Sequence, residues 1–240
     1  MTHEFSRTQL LIGEEALNKL QNSTILIFGI GGVGSHCTEA LARCGIGHLI
    51  LADHDKVSLT NINRQSIAYH STIGEYKTLV MKKRILDINQ NAFVETFEQF
   101  LLPENLETFF QEISGPIDYI IDAIDTVAAK IAIIEYAKKH KIPILSSMGT
   151  GNKLHGELFQ IADLSETSVC PLCRVMRREL KKRDIHHVKV LYSKEEPLRP
   201  NSEKEDEKTS RRSTPGSISF VPPVAGLLIA GEVLRELSGF

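Results

Sequence analysis

Tryptophan is absent from this 240-residue chain, aromatic residues make up 6% of it, and there are four cysteines. Four thiols in that length are too few for a disulfide scaffold. Ten phenylalanines within a 42% hydrophobic composition still supply a packed core, which excludes wholesale disorder. No apolar run is long enough to cross a bilayer: residues 218–231 come nearest, at 14 residues interrupted by Pro222 and Pro223, where a spanning helix needs roughly 20. Met1–Arg7 is polar and has no apolar export core. Internal repeats are missing as well. These absences lead us to expect a soluble, cytoplasmic protein with no membrane partner, folded as one α/β domain over residues 1–240.

Charge of one sign is also missing overall, with 28 Lys and Arg against 30 Asp and Glu. The near balance hides an uneven distribution. Residues 1–173 carry a net −6 and residues 174–212 a net +5, so nearly half of the basic side chains crowd into one stretch. Such a block suits either a solvated segment or a polyanion contact.

Through the first 150 residues, buried-strand runs alternate with helical patterns. Thr24–Phe28, His48–Ala52, Phe93–Phe97, Ile117–Ile121 and Ile142–Ser146 suit strands, and Val33–Cys44 and Thr126–His140 have helical spacing. Repeated β-α-β order predicts a Rossmann-like, mostly parallel sheet with helices on both faces. Beyond Gly151 we expect a strand at Gly156–Ala162, a helix at Pro171–Arg183 and a strand at His187–Tyr192. A charged, proline-bearing mobile insertion loop is expected at about 193–217. A core segment, Ser217–Val221, and a closing helix, Pro222–Leu237, should follow.

Between the first strand and helix stands Gly29-Ile-Gly31-Gly32-Val-Gly34. Its glycines permit a tight turn and close backbone approach to a phosphate, and the following helix N-terminus offers unpaired N–H groups. Asp53 ends the second strand, 19 residues after Gly34, where a carboxylate can accept from ribose hydroxyls. The motif alone leaves NAD and ATP both open. Arg64 and Lys77 tilt the choice toward ATP, because a triphosphate under cleavage needs cations at its β- and γ-phosphates. Asp122 and Asp125 follow the strand at Ile117–Ile121, and either carboxylate there could hold Mg²⁺.

The set Gly-Ile-Gly-Gly-Val-Gly-Ser35, Asp53-x-Asp-x-Val57, Thr60-Asn-x-Asn-Arg-Gln65, Lys77 and Asp-Ala-Ile-Asp125 resembles the ThiF/MoeB/HesA-type adenylating enzymes. That resemblance implies Asp53 on the ribose, Asn61 and Arg64 at the triphosphate, Lys77 on the phosphates and Asp125 at Mg²⁺. It also implies a homodimer in which Arg7 reaches the ATP of the other subunit. Within the family, the segments 39–47, 60–65, 167–180 and 216–226 are similar to the tRNA threonylcarbamoyladenosine dehydratases, with Lys153–Glu157 departing from their pattern. Those enzymes use ATP to cyclise a threonylcarbamoyl group on the tRNA adenosine next to the anticodon. The alternative in the same family is adenylation of the C-terminal glycine of a ubiquitin-like sulfur-carrier protein.

The cysteines bear on that choice. Cys170 and Cys173 form a single Cys-x-x-Cys, so a four-ligand zinc site would need His186 or His187 to join them. Cys37 and Cys44 suit core positions. No cysteine follows residue 173, which leaves no thiol in a later half-domain for conjugation through a thioester. Finally, Arg174, Arg177, Arg178, Lys181 and Lys182 fall on one face of the expected 171–183 helix. Their mutual repulsion calls for a neutralising polyanion, and the resemblance implies that it is a tRNA backbone.

Overall fold

The computed structural model describes residues 2–199 and 215–240. Seven strands, β1 (Thr24–Phe28), β2 (His48–Ala52), β3 (Phe93–Phe97), β4 (Tyr119–Asp122), β5 (Ile144–Ser147), β6 (Phe159–Asp163) and β7 (Lys189–Ser193), form one sheet in the order β3-β2-β1-β4-β5-β7-β6. All neighbours are parallel except β6, which runs antiparallel to β7 at the edge. The helices are α1 (Ser6–Gln21), α2 (Gly34–Arg43), α3 (Lys77–Ile88), α4 (Leu106–Glu112), α5 (Val127–His140), α6 (Pro171–Lys181) and α7 (Val221–Ser238).

The inner strands are apolar on both faces because both faces are covered, the usual cause of continuous apolar runs in parallel sheets. Along β1, Ile25 and Ile27 pack with Cys37, Leu41, Met81, Ile229 and Val233 from α2, α3 and α7. The alternate residues Leu26 and Phe28 pack with Phe109, Ile133, Ile134 and Leu180 from α4, α5 and α6. At about 25 cal/mol per Å² of buried apolar surface, these two layers are the main stabilising term. The fold is therefore Rossmann-like, as expected.

Three details depart from the sequence reading. Residues Gly156–Leu158 form a 3₁₀ turn, and the strand begins only at Phe159. The expected core segment Ser217–Val221 buries Val221 alone, and Phe220 is 47% exposed. Residues 215–217 instead line a cleft, and Ser217 O accepts from Asn63 Nδ2 at 3.0 Å. Of the expected loop at 193–217, residues 200–214 lie outside the described residues, together with Arg211 and Arg212. Its described flanks are fixed: Leu198 N donates to Asn152 O at 2.8 Å, and Gly216 N to Asn152 Oδ1 at 2.6 Å.

Candidate active site

A cavity of about 420 Å³ opens at the C-terminal ends of β1, β2 and β4, the crevice where open α/β sheets bind ligands. Its walls bring together Gly29, Gly31, Gly32, Asp53, Asn61, Arg64, Lys77 and Asp125. The glycine loop owes its path to two residues. Gly29 has φ +87°, and a Cβ there would lie 2.8 Å from Ala123 O; a Cβ on Gly34 would lie 1.8 Å from Gly29 O. The α2 N-terminus that follows has no side-chain cap, and Ser35 N donates to Gly31 O at 2.9 Å, which ties the helix start to the glycine loop that lines the cavity.

Asp53 welds β2 to this loop. Its carboxylate accepts from Ile30 N at 2.7 Å and from Asp55 N at 2.8 Å, which leaves further acceptor positions for ribose hydroxyls. Lys77, buried at the start of α3, would sit badly at the positive end of a helix without anions beside it. Asp55 Oδ2 at 2.6 Å and Asp53 Oδ2 at 3.9 Å supply them. Arg64 differs: it donates to two neutral oxygens, Thr60 O at 3.1 Å and Asn63 Oδ1 at 2.8 Å, and burial lowers its pKa from the ordinary arginine value. A half-buried guanidinium held by neutral acceptors is poised for an anion. Asn61 Oδ1 accepts from Ser58 N at 3.0 Å and so fixes the turn that carries Arg64.

Of the two carboxylates considered for Mg²⁺, only Asp125 reaches the cavity, where it is exposed. Asp122 is fully buried and accepts from Lys130 Nζ at 2.9 Å, Ser146 Oγ at 2.6 Å and Ile124 N at 3.3 Å. It is a structural ion pair that shapes the 122–126 turn, and the expectation of a metal role for it is corrected. Asp125 lines the same cavity as Asp55, and its exposed carboxylate offers the oxygen donors that Mg²⁺ takes.

Arg7 is not part of this cavity. It lies on α1 beside a separate apolar groove lined by Leu11, Leu234 and Phe240. On α6, the five cations do not form one free face. Arg177 turns inward and donates to Thr167 O at 2.9 Å and to Thr167 Oγ1. Arg178 and Lys182 both donate to Glu179 Oε1, at 3.1 and 3.0 Å. The protein thus neutralises part of the predicted repulsion itself, and among the described residues Arg174 and Lys181 are the exposed members in no ion pair.

Neither histidine joins the cysteines: His186 pairs with Asp184 and His187 with Asp163. Among the described residues, the one metal-capable group of three is Asp53, His54 and Asp55. Sequence reasoning missed Gln65, whose buried Oε1 has no partner and which lines the same cavity, although it stands beside Arg64 in the quoted motif. It also missed the far wall, Gly149–Gly151 and Pro215–Ser217, which carries no charge pattern to signal it.

A profile of the ThiF family matches residues 5–240. The chain is 44% identical to the tRNA threonylcarbamoyladenosine dehydratase of Bacillus subtilis, over 99% of this chain and 95% of that protein. Identity to the Escherichia coli protein of the same name is 41%, over 74% of this chain and 65% of that one. Crystal structures of E. coli TcdA with ATP and with AMP superpose with TM-scores of 0.87 and 0.88. Each is 32% identical and covers 98% of this chain and 94% of that one.

Proposed function

The chain belongs to the ThiF family, and from that premise we propose that it is an ATP-dependent cyclase acting on threonylcarbamoyladenosine in tRNA, next to the anticodon. One observation carries the reading: a single crevice gathers the glycine loop, Asp53, Asn61, Arg64, Lys77 and Asp125. Likeness in sequence to dehydratases, and in structure to ATP- and AMP-bound TcdA, supports the same conclusion.

The substrate carboxylate attacks the α-phosphate of ATP, which forms an acyl-adenylate and releases pyrophosphate. Arg64 and Lys77 offset the charge that develops on the departing phosphates. Asp55 holds the Lys77 ammonium at 2.6 Å against the crevice, within which it serves the phosphate oxygens. Asp53 and the glycine loop hold the ribose and phosphates in register. Asp125 is the residue to hold Mg²⁺, which when bound neutralises phosphate charge. A nitrogen of the same substituent then attacks the activated carbonyl, the ring closes and AMP leaves, with net loss of water. Ring closure within one molecule exploits effective molarities of roughly 10⁵–10⁸ M, so no enzyme nucleophile is required.

In this reading the protein is a cytoplasmic homodimer whose Arg7 enters the partner's crevice. The support is its place beside Leu10 and Leu11, which are 88% and 82% exposed and call for a cover. The tRNA lies along α6, whose first turn reaches the crevice through Leu172 and whose exposed cations Arg174 and Lys181 face outward, with Arg178 and Lys182 beside them.

Release of AMP and pyrophosphate should require threonylcarbamoylated tRNA, and nucleoside mass spectrometry should show the product lighter by one water. ATP turnover indifferent to that tRNA would sink the proposal. Pyrophosphate exchange driven instead by the C-terminal glycine of a ubiquitin-like sulfur carrier would point to the other branch of the family.

A further inference from the structure

Cys170 and Cys173 are the two thiols that the proposed reaction leaves unused, and their setting is unlike that of the other pair. Cys37 is sealed in the core, where burial pushes its thiol up, and Cys44 is pushed up by burial as well. Cys170 is the N-cap of α6 and Cys173 lies in its first turn, with both thiols free and buried. A sulfur at a helix N-terminus sees the positive end of the dipole and the unpaired amides there. The Cys173 thiol three residues on lowers the Cys170 pKa and outweighs burial, which raises it. The same contact drives Cys173 upward, so Cys173 keeps its proton.

Two further observations single out the pair. Lys153 is 4% exposed, and its ammonium makes one hydrogen bond, to Glu195 O at 2.5 Å, although it carries three donors. Burial lowers the Lys153 pKa, and the nearest opposing influences come from Cys170, Glu195 and Cys173. The Glu195 carboxylate is committed elsewhere, since it accepts from Leu154 N at 2.9 Å and His155 N at 3.0 Å. A buried cation with spare donors beside a thiol favours thiolate. Secondly, Cys170 N donates to Ser168 O at 2.6 Å across Val169, a β-branched residue at φ +61°. That tight, strained turn presents Cys170 to the helix, and strain of this kind persists at functional positions.

We propose that Cys170 and Cys173 form a peroxide-sensitive dithiol on either side of Leu172, which lines the crevice, in which Cys170 reacts first, Cys173 closes the disulfide, and Lys153 holds the reactive thiolate. The Cys170 thiolate attacks one oxygen of a peroxide, the O–O bond breaks, and sulfenic acid forms as hydroxide leaves and takes up a proton. The Cys173 sulfur then attacks the Cys170 sulfur and loses its proton, the S–O bond breaks, and water departs. One peroxide is reduced to two waters as two thiols are oxidised to one disulfide. Lys153 and Arg177 are the charged groups that act on the pair, and Glu195 acts on Lys153. Closure draws in the first turn of α6, which carries Leu172, and shifts its contact with Gly149; both residues line the crevice. The effect on nucleotide rests on the function proposed above, whereas formation of the disulfide does not.

The test uses the full-length protein. Trypsin releases both cysteines in one peptide, Leu154–Arg174, separate from those carrying Cys37 and Cys44. A short iodoacetamide pulse should label Cys170 well ahead of Cys44 at pH 7, with a rate profile that rises at lower pH than that of Cys44. After peroxide, the peptide should be lighter by two hydrogens and revert with dithiothreitol. In Cys173→Ser, dimedone should trap the sulfenic acid. Lys153→Met should slow labelling roughly 3- to 10-fold, whereas Lys153→Arg restores it, with thermal unfolding showing that each variant is folded. Labelling of Cys170 no faster than Cys44, a peptide unchanged by peroxide, or a bond from Cys170 to another cysteine would overturn the proposal. ATP titration of the oxidised protein is the separate arm. A severalfold weaker Kd supports coupling to the crevice, and an unchanged Kd removes the coupling and leaves the dithiol standing.

Discussion

Replacing Lys130 by methionine keeps its length and removes its charge, leaving the Asp122 carboxylate fully buried with Ser146 Oγ and Ile124 N as its remaining partners. Breaking a buried pair from one side typically costs about 3–5 kcal/mol, because the surviving charge has lost its compensation. A second route gives a ceiling. The variant can fold with a neutral acid, and protonating a carboxyl with an unfolded-state pKa of ~3.9 costs about 4 kcal/mol at pH 7 and about 1.5 at pH 5. We therefore expect Lys130→Met to lose about 4 kcal/mol at pH 7 by urea unfolding, out of a total that for such domains is ~5–15. The deficit should shrink to less than half at pH 5, since folding then takes up a proton that acid supplies. Adding Asp122→Asn should recover most of the loss at pH 7. A single-variant cost below about 1 kcal/mol, or one equal at both pH values, would refute the reasoning.

Gly34→Ala should abolish adenylate formation and destabilise the fold, because its Cβ would overlap the backbone oxygen of Gly29 at 1.8 Å; calorimetry and AMP release read both effects. Mixing Arg7→Ala with Arg64→Ala should restore activity to about a quarter of wild type if each site borrows Arg7 from the other subunit, and none if it does not. Glu39 is partly buried, which raises its pKa, but Arg43 and Arg84 outweigh burial and hold it below the usual carboxylate range. Its contribution is present above pH ~4.3 and fades as pH falls through the lower folded value. Glu39→Gln should therefore cost roughly 1 kcal/mol at neutral pH and almost nothing near pH 3, by denaturant titration.

The strands and helices that build the crevice were legible because parallel strands covered on both sides read as unbroken apolar runs, as in Thr24–Phe28 and His48–Ala52. The glycine loop was legible because it needs one residue type for a steric reason. Position in the chain could not separate Asp122 from Asp125: both follow the same strand, and only the packing of Lys130, set among alanines and isoleucines, shows which one is sealed away. Helical spacing likewise placed the α6 cations in one stripe but did not reveal that Arg177 faces Thr167, since periodicity reports direction and not what stands opposite. Ser217–Val221 was apolar enough to read as core, yet Phe220 stays exposed and the residues before it line the cleft.

Because β7 inserts beside β5 and β6 hooks back along the outside, the chain reaches the crevice a second time from a later stretch of sequence. The glycine loop and its charged companions are in place by residue 125, and the opposite wall comes from the turn after β5, from Leu172 of α6 and from residues 215–217 ahead of α7. Two surfaces with separate origins can then diverge independently.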